Sequence, residues 1–280
     1  MMAVIAALEP AATSYDCLAP FYDEFTSAYA YEPWIDAIEQ RAVAWGLEGK
    51  RALDLACGTG KSTLPLLARG YSIQGCDISE GMIRRAQDKL PELAEAFSVA
   101  DMRELPELGE FDFVLCLDDA VNYLLSDEEL EAAFAGVARI LAPDGIFAFD
   151  VNSLATYRTS FAETEVREQG GIFFAWRGEA APTLQAAEGA SATVEIFAPN
   201  VDGLWERHTM RHVQRHHPRS AIVAALQSAG LKCCAVFGQR RGAVLEDQAD
   251  EESHIKLVYL AKPQDPRPGR EVTGMKVVQP

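Results

Sequence analysis

The chain is short of positive charge. Among 280 residues, 25 Lys+Arg stand against 42 Asp+Glu, a formal net charge of −17. Duplex affinity comes largely from Lys and Arg displacing counterions from phosphates, so nucleic acid is a disfavoured partner. No uncharged apolar stretch approaches the ~20 residues of a membrane helix, so no membrane partner is expected. The six cysteines, Cys17, Cys57, Cys76, Cys116, Cys233 and Cys234, fall at no metal-ligand spacing, and no metal site is expected. Several sit in or beside apolar runs that read as buried strands, which suits a reduced, cytoplasmic protein. The N-terminal segment has no basic leader and includes Glu9 and Pro10, a poor signal peptide. Internal repeats are absent too. What is present is a composition 49% hydrophobic and 24% charged, enough for a large core in one α/β domain with insertions.

From residue 51 to 151, short β-rich runs alternate with helical patterns. Strands are expected at 52–56, 72–76, 97–100, 113–117 and 146–151, and helices at 62–68, 80–89 and 128–141. Strands separated by helices imply right-handed crossovers and a mostly parallel sheet covered on both faces. Beyond Val151 the pattern shifts to three β-prone segments, 172–177, 192–199 and 205–216. The last two read as an antiparallel hairpin turning at Asp202-Gly203. A helix at 219–229 and strands at 232–237 and 255–261 complete the pattern. Residues 154–217 are expected to be an antiparallel β insertion in a domain spanning 51–261. Residues 1–50 are expected to form a helical lid, and the Pro-rich stretch 262–280 to be disordered.

The strongest local signal is Leu53-Asp54-Leu55-Ala56-Cys57-Gly58-Thr59-Gly60, at a strand exit where a helix begins. Gly58 and Gly60 allow a tight turn and close backbone approach to a ligand at the carboxyl edge of the sheet. A P-loop would need Gly where Leu55 stands, and a dinucleotide turn would need Gly at Thr63. Residues 54–60 instead resemble motif I of the class I S-adenosylmethionine-dependent methyltransferases, with Ala56 where many members carry Gly. The resemblance implies a Rossmann-like fold with a mostly parallel seven-stranded sheet, the insertion following its fifth strand. It implies S-adenosylmethionine as the methyl donor, with the backbone of Ala56, Cys57, Gly58 and Gly60 along its methionine part and Asp54 helping to hold its amino group.

Asp77 ends the second expected strand, where a carboxylate can accept two hydrogen bonds from ribose hydroxyls; Ser79 is the better helix cap. Asp101-Met102, after the third strand, resembles the family's adenine contact. Ile78, Met82 and Leu117 are assigned to the same donor pocket by the resemblance. It extends to Tyr15-Asp16…Tyr22-Asp23, like the leader of small-molecule members, with Tyr22 facing the pocket, and to the turn Leu141-Ala142-Pro143-Asp144-Gly145. Residues 14–151 carry it; beyond them the likeness is one of architecture.

Methyl transfer is an in-line displacement, so much of the catalysis can come from holding two reactants in line. Only the acceptor's proton needs a base. In the resembling subgroup an Asp, Asn and Tyr recur after the fourth strand, matching Asp119, Asn122 and Tyr123. Asp119 is either the base or the cap of the next turn; Asn122 and Tyr123 are assigned to the acceptor. In the strand at 205–216, His208, Met210, His212, Gln214 and His216 share one face. If that face roofs the pocket, His208 or His212 can act as a base near neutral pH. The alternative is an exposed strand whose charges deter edge pairing. The clustered cations from Arg207 to Arg219 suggest where an anionic acceptor would dock. The sequence thus reads as a methyltransferase for a nitrogen or oxygen of a small molecule. Its rivals are a non-catalytic donor-binding protein of the same fold and a methyltransferase for protein or RNA. Oligomeric state is not legible.

Overall fold

The computed structural model describes residues 10–264. The chain opens with α1 (Ala11–Leu18), a 3₁₀ turn (Ala19–Phe21), α2 (Tyr22–Phe25) and α3 (Tyr31–Ala44). Alternating elements follow: β1 (Arg51–Leu55), α4 (Thr63–Ala68), β2 (Ser72–Asp77), α5 (Glu80–Lys89), β3 (Phe97–Val99), β4 (Phe111–Cys116), α6 (Asp127–Ile140) and β5 (Leu141–Asn152). After α7 (Leu154–Arg158) comes a meander of β6 (Thr164–Gln169), β7 (Ile172–Gly178), β8 (Gly189–Pro199) and β9 (Trp205–Arg215). Then α8 (Arg219–Ser228), β10 (Leu231–Arg240), β11 (Val244–Glu246) and β12 (Lys256–Pro263) close the fold.

Local sequence explains the helix starts. Ser79 caps α5 by accepting from Met82 N–H at 3.0 Å. Ser126 caps α6 at Glu129 N–H, 3.2 Å, with Asp127, Glu128 and Glu129 in the first turn, where acidic groups meet the helix dipole favourably.

The main sheet has the order β11-β10-β12-β5-β4-β1-β2-β3, with β1 to β5 mutually parallel and β12 antiparallel to β5 and β10. It has eight strands rather than the expected seven. The extra one, β11, is a three-residue edge hairpin on β10 and too short to show a pattern in the sequence. The meander forms a separate antiparallel sheet of four strands, where the sequence suggested three. The missed strand, β6, is Thr-Glu-Val-Arg-Glu-Gln, polar and almost wholly exposed, so no apolar alternation marks it. Strand β12 also runs two residues past the expected boundary: Lys262 and Pro263 pair with Lys232 and Leu231. The expected disorder of the remaining tail lies outside the described residues from position 265 on, as do residues 1–9 of the expected lid.

Both phases of the period-two pattern are apolar because both faces of the sheet are covered. Leu53, Val114, Cys116, Phe147, Phe149, Leu257 and Tyr259 pack with α6 and α8. Ala52, Phe113, Leu115, Ile146, Ala148, Val258 and Leu260 pack with Ile35 and Ile38 of α3 and Leu66 of α4. The same alternation sends Asp54, Asp150 and Lys256, out of phase with the first set, to the α3 and α4 side. No helix among the described residues is long and apolar enough to cross a membrane.

Close packing rules out a side chain at Gly75 in β2. A Cβ there would lie 2.7 Å from the Phe97 ring of β3. Gly75→Ala should keep the far-ultraviolet spectrum and lower stability by about 1–3 kcal/mol, read from the urea midpoint; an unchanged midpoint would show that β3 shifts freely.

Candidate active site

The strand order turns at β1 and β4, which lead to opposite edges of the sheet, and their carboxyl ends part there to leave a crevice, the usual ligand position in open α/β sheets. A cavity of about 210 Å³ lies at this point. Its floor is Leu55 to Gly58 after β1, Asp77 and Ile78 at the end of β2, Ala100 to Met102 after β3, and Leu117 and Asp118 after β4. Met82 of α5 joins them. Tyr15, Tyr22 and Tyr31 from the N-terminal helices and Arg211 and Val213 of β9 form the roof. That roof is pinned: Ser14 Oγ donates to Arg211 O at 2.7 Å, and Asp16 Oδ1 accepts from Ser79 Oγ at 2.6 Å and Gly81 N–H at 2.8 Å.

The turn after β1 carries positive φ at Ala56 (59°), Gly58 (54°) and Gly60 (78°). At Gly58 the missing side chain faces the Tyr22 ring 3.6 Å away. Gly60 instead faces Leu90, Ala86 and Phe97 and does not line the cavity, so it packs the turn onto the sheet. Asp77 Oδ2 accepts from Gly58 N–H and Oδ1 from Ser79 N–H, both at 2.9 Å. Burial pushes its carboxyl up to about 6 against those bonds.

Asp54 departs from expectation. Its Oδ2 accepts from Ser62 Oγ at 2.7 Å and Thr63 Oγ1 at 2.6 Å, and it stays off the cavity wall. It ties the end of β1 to the start of α4, holding the turn rather than meeting a ligand directly. Asp101 does reach the cavity, but its carboxylate is shared with Arg103, 2.6 Å away. Burial raises that carboxyl and the guanidinium more than offsets this, leaving it below the usual range.

The acceptor-side candidates are rearranged more strongly. Asp119 lies behind the wall, with Oδ1 on Lys256 Nζ at 2.6 Å and Oδ2 accepting from Gln214 Nε2 at 2.5 Å; Asp118 lines the cavity in its place. Both residues have positive φ, 61° at Asp118 and 55° at Asp119, and it is this left-handed pair that turns one carboxylate outward and the other in. Lys256 also meets Asp118 Oδ1 at 3.2 Å and Asp150 Oδ2 at 2.8 Å. Burial pushes Asp119 and Asp150 up, Asp150 to about 6, while the carboxylates overcome burial at Lys256 and hold it firmly charged. Sequence reasoning missed Lys256 and Asp150; the only signal was a charge out of place in an apolar strand.

Asn122 is fully buried, donating to Arg215 O and accepting from Asn152 N–H, both at 2.9 Å; its amide is consumed in joining the turn to β5 and β9. Tyr123 lines the cavity. His208 packs its ring on Phe21 at 4.9 Å, away from the cavity. The histidine face of β9 is not exposed: Met210, His212, Gln214 and His216 are buried. His212 is one side chain behind the wall, its Nδ1 2.9 Å from the Tyr123 hydroxyl. Burial pushes it down to about 4, so it is no base near neutral pH in the resting protein. The clustered arginines are also spoken for: Arg207 pairs with Glu195, Arg211 with Glu179 at 3.0 Å and Arg215 with Asp127 at 2.7 Å.

A parallel sheet reversing at β1 and β4, with a Gly-rich turn and an acidic β2 end facing one cavity, defines the class I methyltransferase architecture. Residues 52–145 match the family described as "Methyltransferase domain". The putative methyltransferase YqeM of Bacillus subtilis (strain 168) is 35% identical over 222 residues, 78% of this chain and 86% of its own length. A putative methyltransferase of Geobacillus sp. (strain WCH70) is 27% identical over 255 residues, covering 89% of this chain and 99% of that one. The crystal structure of an S-adenosylmethionine-dependent methyltransferase from Clostridium acetobutylicum ATCC 824 shares the fold, with TM-score 0.74, 23% identity, and 89% and 98% of the two chains covered. The chain belongs to the class I S-adenosylmethionine-dependent methyltransferases, and S-adenosylmethionine is its methyl donor. The residues present fit that donor: a buried carboxylate at a strand end suits vicinal hydroxyls, Met102 and Ile78 offer apolar surface to a ring, and Gly58 leaves the backbone bare.

Two measurements follow from this electrostatics. If ribose hydroxyls are bound by Asp77, they bind its ionised form, so affinity for S-adenosylhomocysteine should fall as pH drops through about 6, and Asp77→Asn should weaken binding and flatten that dependence; calorimetry from pH 5 to 8 decides it. Lys256→Met leaves buried carboxylates without their cation and should lower stability by about 3–5 kcal/mol at pH 7. The loss should shrink towards pH 5, where Asp150 takes up a proton; equal losses at both pH values would count against the cluster.

Proposed function

We propose that this methyltransferase acts on a nitrogen or oxygen of a small molecule held in the cavity. The observation that carries the reading is the roofing of the site by the N-terminal helices and β9, pinned through Ser14 and Asp16, over a cavity of about 210 Å³, a size that suits a small molecule. The ion pairing of Arg207, Arg211 and Arg215 also removes the cations an RNA would need. Relatives that match part of this chain support it: a magnesium-protoporphyrin O-methyltransferase of Rhodobacter capsulatus, 42% identical over 84 residues, and a dTDP-3-amino-3,4,6-trideoxy-alpha-D-glucopyranose N,N-dimethyltransferase of Streptomyces venezuelae, 33% identical over 99 residues.

In this reading Asp77 takes the ribose hydroxyls, Asp101 and Met102 the adenine, and Ile78, Met82 and Leu117 the apolar flanks. The backbone from Ala56 to Gly58 runs along the methionine part, with Tyr22 over it. Asp54 acts through Ser62 and Thr63. The donor supplies a methyl carbon already activated by its sulfonium. The protein's own part is to align the acceptor, exclude water with the tyrosine-lined roof and receive a proton. Residues 11–44 serve as the lid and 154–217 as an insertion completing it. The six free thiols, several buried, favour a reduced compartment such as the cytoplasm.

Calorimetry should show binding of S-adenosylmethionine and S-adenosylhomocysteine, and methyl-labelled donor should transfer label to a member of a panel of small amines, phenols and carboxylates. Absence of donor binding would overturn the reading. Binding without transfer to any panel member would favour a non-catalytic donor-binding protein, and label appearing only in RNA or protein would favour a polymer substrate.

A further inference from the structure

Strand β6 is the outer strand of the inserted sheet. It pairs with β7 on one side and, among the described residues, with no strand on the other. Its ladder with β7 runs over all six residues without a bulge. Edge strands are commonly made unfit for further pairing by a proline, a bulge, a lysine or a covering loop. Thr-Glu-Val-Arg-Glu-Gln has no proline, glycine or lysine, and Val166 near its centre is 66% exposed. Beside Val166 an open apolar groove continues over Phe173, Phe197 and Trp205.

Backbone alternation decides which groups face outward. Gly170 and Gly171, with φ of 61° and 78°, make the two-residue turn from β6 to β7, so the flanking Gln169 and Ile172 form a hydrogen-bonded pair. At the far end Gly178 N–H donates to Glu163 O at 2.8 Å. Bonded and non-bonded pairs alternate between these ends. Glu165 and Arg167 therefore direct their backbone groups to β7, while Thr164, Val166 and Glu168 direct theirs to the free edge.

We propose that β6 is a self-pairing edge, through which two copies of this chain join antiparallel about a two-fold axis at Val166, so that their inserted sheets become one. Backbone groups meet only where Thr164, Val166 and Glu168 of one copy face the same set in the other, which leaves registers two residues apart. Centred on Val166, all three positions engage, Val166 against Val166 and Thr164 against Glu168. Glu165 then stands opposite Arg167 of the second copy, twice by symmetry. A shift to either neighbouring register sets Arg167 against Arg167 or Glu165 against Glu165, which like charges disfavour. The Glu165–Arg167 pairs fall at non-hydrogen-bonded positions, where side chains on facing strands approach most closely. Within one copy these two side chains already share a face, 3.8 Å apart, and Arg167 is steadied there by donating to Phe25 O and lying over the Phe25 ring. The edge thus carries the charge pattern that its own reversed sequence completes, which singles out a second copy as the occupant.

Sedimentation of the full chain over a concentration series reaching ~0.5 mM should show a reversible monomer–dimer equilibrium, the heavier species near twice 30.6 kDa. Val166→Pro removes an N–H that faces the free edge and none that β7 uses, so it should give a folded monomer, its far-ultraviolet spectrum that of wild type. Glu165→Arg leaves the backbone alone and sets like charges opposite each other at two symmetric places, which should raise the dimer dissociation constant about tenfold or more. Exchanging the pair, Glu165→Arg with Arg167→Glu, should recover most of that loss. Wild type that stays monomeric throughout the series, a dimer as tight as wild type in either single variant, or a double variant no tighter than Glu165→Arg would overturn the proposal.

Discussion

The ammonium group of Lys256 lies between three carboxylates, Asp118, Asp119 and Asp150, at 3.2, 2.6 and 2.8 Å. These groups come from β12, from the turn after β4 and from β5, and Tyr31 of α3 adds a bond to Asp118 Oδ2 at 3.1 Å. One cation thus joins the fold's last strand, its central strands and its N-terminal roof. Desolvating such charges is expensive, and their attraction returns that free energy only with good geometry. Asp150 Oδ1 is left without a partner, so the cluster is not optimised for stability alone. What it does achieve is to hold two successive left-handed residues at the cavity wall. Each such conformation costs roughly 1–2 kcal/mol for an ordinary residue, less for Asp, and persists where surroundings over-determine it.

The sequence carried the fold through its alternation of strand and helix patterns, because apolar period and turn glycines act locally. It also brought several strand-end residues to one cavity, since strand ends in a parallel sheet converge on one edge. Asp77, Asp101 and Met102 reach the cavity wall for that topological reason. What it could not carry was the choice of partner for each acid. Asp54 is a few residues from Ser62 and Thr63, close enough to be captured by their hydroxyls, and a motif does not reveal that capture. Asp119 meets Lys256 across a sequence separation of 137 residues, which only the pairing of β12 with β5 brings about. Strand β6 escaped notice because an exposed edge strand has no apolar face to display.

The inserted sheet shows the same limit from the other side. Period two correctly grouped the histidines of β9 on one face, but the pattern does not say which face meets the core. Met210 is the apolar member of that face, and it packs with Leu18, Phe174 and Val194. The apolar environment it marks takes His212 and Gln214 inside with it, where each must find polar partners. The arginines on the other face then pair with Glu195, Glu179 and Asp127, so the cationic stretch that stood out in the composition is locally neutralised.

Net charge takes on a sharper meaning at the cavity. Asp54, Asp77 and Asp150 are each pushed to about 6, chiefly by burial. An acid whose folded value exceeds its unfolded value near 3.9 binds more protons in the folded state between the two, so these groups make the fold less stable as pH rises from about 4 to about 6. Above that range the protein carries ionised carboxylates at the cavity, Asp77 on its wall and Asp54 and Asp150 behind it. The Lys256 cluster limits how far that weakening goes at Asp150 by setting a cation against its carboxylate.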